Sequence, residues 1–224
     1  MNEPQLTLVG PQVAGERAKL PERRPMYGTY VTAEPLDPAK HGDALWQGFG
    51  GTLNHELWRY MRSGPFTDRP AFYAYLEEKA ASADPLYFAL VNCATGSAAG
   101  HAAFMRIDTS QRVIEVGAIV YTSQFQKTRA ATEAMYLMAR HAFEELGYRR
   151  YEWKCNVFND ASQCAARRLG FAFEGVFRQA ENRDTAWYAM LDREWPARKS
   201  EFERWLAAGN FDDSGKQKTR LHHG

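Results

Sequence analysis

The chain has 224 residues, 45% apolar and 25% charged, with a formal net charge of +1. That length suits one domain with a full core, and the scattered lysines and arginines exclude the basic stripe that a nucleic-acid partner needs. Three cysteines, odd in number and without a C-x-x-C pair, exclude a disulfide framework or a cysteine-built zinc site.

Cys93, Cys155 and Cys164 read instead as small buried hydrophobes in a reducing cytoplasm. No apolar run approaches the ~20 residues that span a bilayer. The opening MNEPQLTLVGPQ lacks the basic-then-apolar order of a signal peptide.

Residues 1–28 carry Pro4, Pro11, Pro21 and Pro25 among polar residues and predict an extended arm. GTYVTAEPL (28–36) predicts a strand, and Asp37-Pro38 opens a helix through Trp46. An aromatic segment follows with Phe49, Trp58, Tyr60, Met61, Phe66, Phe72, Tyr73 and Tyr75, helical from Pro70 to Ala81. LYFALVN (86–92), AAGHAAFMRI (98–107) and VIEVGAIVY (113–121) predict an antiparallel meander, because CATGS and DTSQR between them are turn-like.

After the loop at 122–129 the period changes. Ala131, Met135, Met138, Ala142, Phe143 and Leu146 recur at helical spacing and stop before Gly147. YEWKCNVF (151–158) is another strand, and Asp160 with Gln163 forms a capping box for a short helix ending at Leu169-Gly170. FAFEGVFRQ (171–179) and DTAWYAML (184–191) are strands joined near Glu181-Asn182, and EWPARKSEFERWLAA (194–208) is a final helix. The class is α+β, with an arm (1–28), one domain (29–208) and a polar tail (209–224) holding His222 and His223.

The strand–loop–helix unit at 113–146 is a natural anion site, since the first N–H groups of a helix lack partners and its dipole is positive there. Gln126, Lys127, Thr128 and Arg129 add two cations and two hydrogen-bonding side chains. A solvated polar turn has the same composition, so the residues alone leave both readings open.

The run from Val113 to Gly175 resembles the GCN5-related N-acetyltransferase (GNAT) superfamily, and more closely its RimJ/RimL-like branch. That family's pyrophosphate loop is Q/R-x-x-G-x-G/A, often followed by T-E-A. Gln126 fills its first position, Ala131 its last, and Thr132-Glu133-Ala134 follows. NDASQCAARRLGF (159–171) looks like the family's N-x-x-S…LGF segment, with Asn159, Ser162 and Leu169-Gly170-Phe171 in place. One departure stands out: Arg129 occupies the first loop glycine, with Ala130 between the two glycine positions.

The resemblance implies a mostly antiparallel sheet of about seven strands, splayed around an acyl-CoA site and flanked by helices. It implies direct acetyl transfer from acetyl-CoA to a primary amine, either a peptide N-terminus or an aminoacyl-like small molecule, without a metal. Ile119, Val120 and Tyr121 match the strand that bonds pantetheine and donates to the thioester carbonyl. Gln126, Lys127, Thr128, Arg129, Ala130 and Ala131 match the pyrophosphate loop, with Arg129 adding charge to phosphate, and Asn159 and Ser162 complete the cofactor side.

An ammonium acceptor must lose a proton before it attacks. Glu115 lies four residues before Ile119 on the same strand face, where many family members place a base. Glu181 is its competitor, since FRQAE resembles the RimL-type K/R-Q-A-E. Ala166 stands where many members carry an acidic tyrosine, leaving the RimL-type Ser162 as acid. Trp58, Tyr60 and Met61, with Asp184 and Trp187 from the last hairpin, are candidates for the acceptor pocket. Other readings are a non-catalytic acyl-CoA-sensing module, acetylation of a drug or metabolite amine, and a scaffold that binds no CoA. The arm and last helix offer surface for a homodimer, and the expected compartment is the cytoplasm.

Overall fold

A computed structural model describes Val13 and residues 15–221. Two strands, β1 (Met26–Tyr27) and β2 (Val31–Pro35), pair antiparallel near its start. Their turn is held from far along the chain by Glu133, which accepts from the backbone N–H of Thr29 at 2.9 Å, Tyr30 at 2.6 Å and Val31 at 2.9 Å. The expected strands numbered seven; β1 is the eighth, and two residues are too short to display the alternation that marks a strand. Ahead of it Ala18 is buried, its N–H donating to Thr109 O, and the Lys19 N–H donates to Leu146 O.

Helix α1 (Pro38–Phe49) begins where Asp37 accepts the N–H of Ala39, and α2 (Arg69–Ala81) where Asp68 accepts that of Ala71. A 3₁₀ segment, Thr52–Trp58, lies between them. The meander is β3 (Leu86–Asn92), β4 (Ser97–Asp108) and β5 (Val113–Tyr121), followed by α3 (Arg129–Arg140) and a π-helical turn at His141–Glu145. Next come β6 (Arg150–Asn156), α4 (Asp160–Arg168), β7 (Ala172–Phe177), β8 (Thr185–Leu191) and α5 (Trp195–Leu206). The cap of α4 is Asn159, which accepts the Ser162 N–H, so the box expected at Asp160 begins one residue earlier.

All eight strands form one sheet in the order β1-β2-β3-β4-β5-β6-β8-β7. Only β5 and β6 run parallel, and they pair over three rungs: Val113 with Arg150, Ile114 with Tyr151, Glu115 with Glu152. Alternation sorts the side chains to two faces. Leu86, Phe88 and Leu90 join Ile114, Val116 and the buried face of α3 and α5 in one core. Tyr87, Ala89, Ala103 and Val120 join Leu45, Phe49, Trp58, Phe72 and Leu76 in the other, under α1 and α2.

Past α5 the chain folds back onto the domain. Asn210 Nδ2 donates to Trp205 O and Thr219 O, and Leu221 is buried. His222 and His223 lie outside the described residues. Of the three cysteines expected inside, only Cys155 is buried; Cys93, in the β3–β4 turn, and Cys164, on α4, are exposed. Among the described residues no helix is long and apolar enough to cross a membrane.

Candidate active site

Strands β5 and β6 separate beyond Glu115, and a cavity of about 290 Å³ fills the gap. One wall is β5 from Glu115 to Ile119, and the other is β6 from Trp153 to Asn156 with Asn159 and Ser162 of the α4 start. Trp153 and Cys155 belong to the core under α3, whereas Lys154 and Glu115 point to the opposite face, so the opening passes through the sheet.

The β5 wall carries a bulge. His101 pairs with Val120 and Ala103 with Gly117, which leaves one extra residue in β5, and Ala118 takes a left-handed φ of 49°. His101 secures it, with Nδ1 2.8 Å from Ala118 O and Nε2 3.2 Å from Tyr75 Oη. Burial pushes the His101 pKa down from 6.5 to about 4, so the ring is neutral at pH 7. A carbonyl only accepts, so Nδ1 carries the proton and Nε2 accepts from the Tyr75 hydroxyl. Burial also raises the pKa of that hydroxyl far above its ordinary value, which keeps its proton in place.

Glu115 faces the gap on the opposite side from the α3 core. Its Oε2 accepts from Arg106 Nη1 and from Lys154 Nζ, each at 2.7 Å. Lys154 also meets Glu152 Oε2 at 2.8 Å, and Arg150 links Glu152 to Glu174. Its Oε1 is directed along the strand toward Gly117, 3.4 Å from where a Cβ on that glycine would sit. Glu115, Glu152 and Lys154 are all nearly inaccessible, which is sustainable only because each charge has an opposite partner.

On the other wall Ser162 Oγ accepts from Trp153 Nε1 at 2.9 Å, and burial raises the pKa of the Cys155 thiol. Asn159 is fixed by its cap bond to the Ser162 N–H.

Where β5 ends, Gln126 Nε2 donates to Tyr121 O and the Thr128 hydroxyl accepts the Ala131 N–H as the cap of α3. Lys127 takes the left-handed φ, at 61°, and Arg129 is the first residue of α3. The backbone N–H groups of Lys127, Arg129 and Ala130 donate to no described residue. The Arg129 side chain is engaged elsewhere: Nη1 donates to Tyr30 Oη at 2.7 Å, and the guanidinium stacks 3.4 Å from the Phe211 ring centre.

The five acceptor candidates divide. Tyr60 and Met61 line the cavity, and Tyr60 Oη donates to Phe158 O. Trp58 does not reach it; its indole is buried against Phe49, Phe66 and Tyr75 and donates to Phe49 O. Asp184 accepts the Gln179 N–H in a shallow groove at the β7–β8 turn, and Trp187 is stacked between Phe177 and Lys154. Glu181 belongs to the 3₁₀ turn Ala180–Asn182, and its side chain lies outside the described residues. Tyr75, Lys79, Arg106 and Arg183 line the cavity without having been singled out in the sequence. They come from α2, β4 and the β7–β8 turn, and only the fold assembles them.

The acetyltransferase (GNAT) domain family model matches residues 34–172. A GCN5-related N-acetyltransferase of Brucella melitensis is 42% identical, with a TM-score of 0.90 covering 92% of this chain and 96% of that one. A probable acetyltransferase (GNAT family) from Chromobacterium violaceum ATCC 12472 is 36% identical, with a TM-score of 0.77 covering 87% of this chain and all of that one. The curated relative named "Putative ribosomal N-acetyltransferase YdaF", from Bacillus subtilis (strain 168), is 28% identical over 109 residues, 46% of this chain and 59% of that relative.

Proposed function

Because the chain belongs to the GNAT acetyltransferase family, we propose that it transfers an acetyl group from acetyl-CoA directly to a primary amine in the gap between β5 and β6. The observation that carries this reading is the three-rung pairing that opens at Glu115 into a cavity reaching both faces of the sheet. Acetyl-CoA, when bound, supplies an acyl group activated as a thioester. The residues fit it: the donor N–H groups of Lys127, Arg129 and Ala130, at the positive end of α3, suit a pyrophosphate. Ile119, Val120 and Tyr121 run from the cavity wall toward that loop, within reach of pantetheine.

In the reaction an N–C bond replaces the thioester C–S bond, the sulfur leaves as thiolate, and the acceptor ammonium gives up two protons, one as the amide forms, which the thiolate can take up, and one before the nitrogen attacks. Glu115 takes that proton through Oε1, directly or through water, while Arg106 and Lys154 hold Oε2. Glu181 is the alternative acceptor of the proton. Ser162, across the gap, donates toward the departing sulfur. Tyr60 and Met61 contact the acceptor. The name carried by YdaF, a putative ribosomal N-acetyltransferase, supports a protein amine over a drug amine, and a reducing cytoplasm suits both the free cysteines and that acceptor.

The test is release of free CoA thiol from acetyl-CoA with pooled N-terminal peptides and small amines. Thiol release that depends on amine supports transfer. Tight acetyl-CoA binding without release from any amine would instead make the chain an acyl-CoA-sensing module.

A further inference from the structure

The cavity is lined by five cationic side chains, Arg62, Lys79, Arg106, Lys154 and Arg183, against one carboxylate among the described side chains, Glu115. Arg106 and Lys154 are the two that grip Glu115. Lys79 and Arg183 line the cavity beside Tyr75 and Tyr60. Lys79 Nζ stands 5.3 Å above the Tyr75 ring centre, and its ion pair is with Glu78, a largely exposed carboxylate that water screens. Arg183 Nη1 donates to Tyr60 O at 3.1 Å, which pins the guanidinium beside the cavity roof. Burial, and then the neighbouring Arg62 charge, push the Arg183 pKa down. Like charges gathered in one cavity raise the energy of the empty site and are relieved by an anion.

The CoA phosphates do not account for these cations. The loop that suits them begins beyond Tyr121, four residues along β5 from Gly117, or about 13 Å. Pantetheine, which spans that distance, is uncharged. The anion these groups face must therefore come with the amine.

We infer that the acceptor is an α-amine accompanied by a side-chain carboxylate on the same or the next residue, held by Lys79 and Arg183. The inference rests on the acetyl-transfer reading above. Lys79 and Arg183 bind the carboxylate through charge-assisted hydrogen bonds, while the same positive field favours the uncharged amine over the ammonium, easing the proton transfer to Glu115. Two sources share this chemistry: the N-terminus of a peptide with an early acidic residue, and a free dicarboxylic amino acid.

The experiment has a binding arm and a turnover arm. Peptides differing only by Asp, Asn or Lys at the second position, together with free aspartate and asparagine, are titrated against the protein saturated with CoA, and then assayed for thiol release with acetyl-CoA. The Asp form should bind about tenfold more tightly than the Asn form, the step expected for one charge-assisted contact. Whichever pair, peptide or free amino acid, shows that step identifies the source. Lys79→Glu should reverse the preference toward the Lys peptide, and Arg183→Gln should shrink the Asp-to-Asn ratio toward one. Equal affinity for Asp and Asn in both pairs, or an unchanged ratio in a folded Lys79→Glu protein, would overturn the inference. A charge preference in binding without thiol release would leave this inference standing and count against acetyl transfer alone.

Discussion

Lys154 Nζ lies 2.7 Å from Glu115 Oε2, joining β6 to β5 at the point where the two strands stop pairing. The contact bridges the opening with charge where the backbone no longer does. It also fixes which Glu115 oxygen remains turned toward Gly117.

If Glu115 accepts the ammonium proton, Glu115→Gln lowers kcat about 100-fold at neutral pH and recovers part of it at alkaline pH, where the amine deprotonates by itself. A pH–rate profile of the two proteins checks this. Full activity in the variant moves the role to Glu181.

Lys154→Met separates structure from chemistry. It leaves Glu115 and Glu152 as neighbouring buried carboxylates with one cation fewer between them, so urea unfolding should show a loss of about 3 kcal/mol or more. A loss below about 1 kcal/mol would mean that water already reaches both groups.

His101 makes stability depend on pH with a definite sign. Its folded pKa, about 4, lies below the unfolded 6.5, so the unfolded chain takes up the proton first. Its contribution is complete above pH 6.5, falls as pH drops from 6.5 to 4, and is lost below that, a total on the order of 3 kcal/mol. Urea unfolding at stepped pH should follow this course, and His101→Gln should flatten that part of the curve.

Arg129 separates backbone from side chain. Arg129→Ala removes the contacts with Tyr30 and Phe211, so Tm should fall. Acetyl-CoA affinity should change less than about threefold, because the Arg129 N–H remains. Arg129→Pro also removes that N–H, at a first helical position where proline fits. It should bind acetyl-CoA about tenfold more weakly than Arg129→Ala. Equal binding by the two variants would exclude that N–H as a phosphate donor.

Much of the sheet was legible in the chain because its strands are bounded by turns and alternate, as in LYFALVN and VIEVGAIVY. Strand β1 was not, since two residues have no period. Gln126 was legible from its match to the family's loop motif, whereas the contact of Arg129 with Phe211 depends on a C-terminal segment that reads as polar tail. Trp58 and Tyr60 look alike in an aromatic run, but the 3₁₀ segment ends with Trp58 in the core, and the turn after it brings Tyr60 to the cavity. Lys79 and Arg183 carried no local signal. A lysine at the end of a helix and an arginine in a turn are ordinary surface residues until the fold brings them to one cavity.

The most direct test of acetyl transfer in the β5–β6 gap is mass spectrometric mapping of the product. A peptide offering both an α-amine and a lysine ε-amine is incubated with acetyl-CoA and either the wild-type protein or Glu115→Gln. The expected result is one acetyl group, on the α-amine, formed by the wild type and strongly reduced in the variant. An unmodified peptide with the wild-type protein, across acidic, neutral and basic sequences and with acetyl-CoA bound, would contradict it.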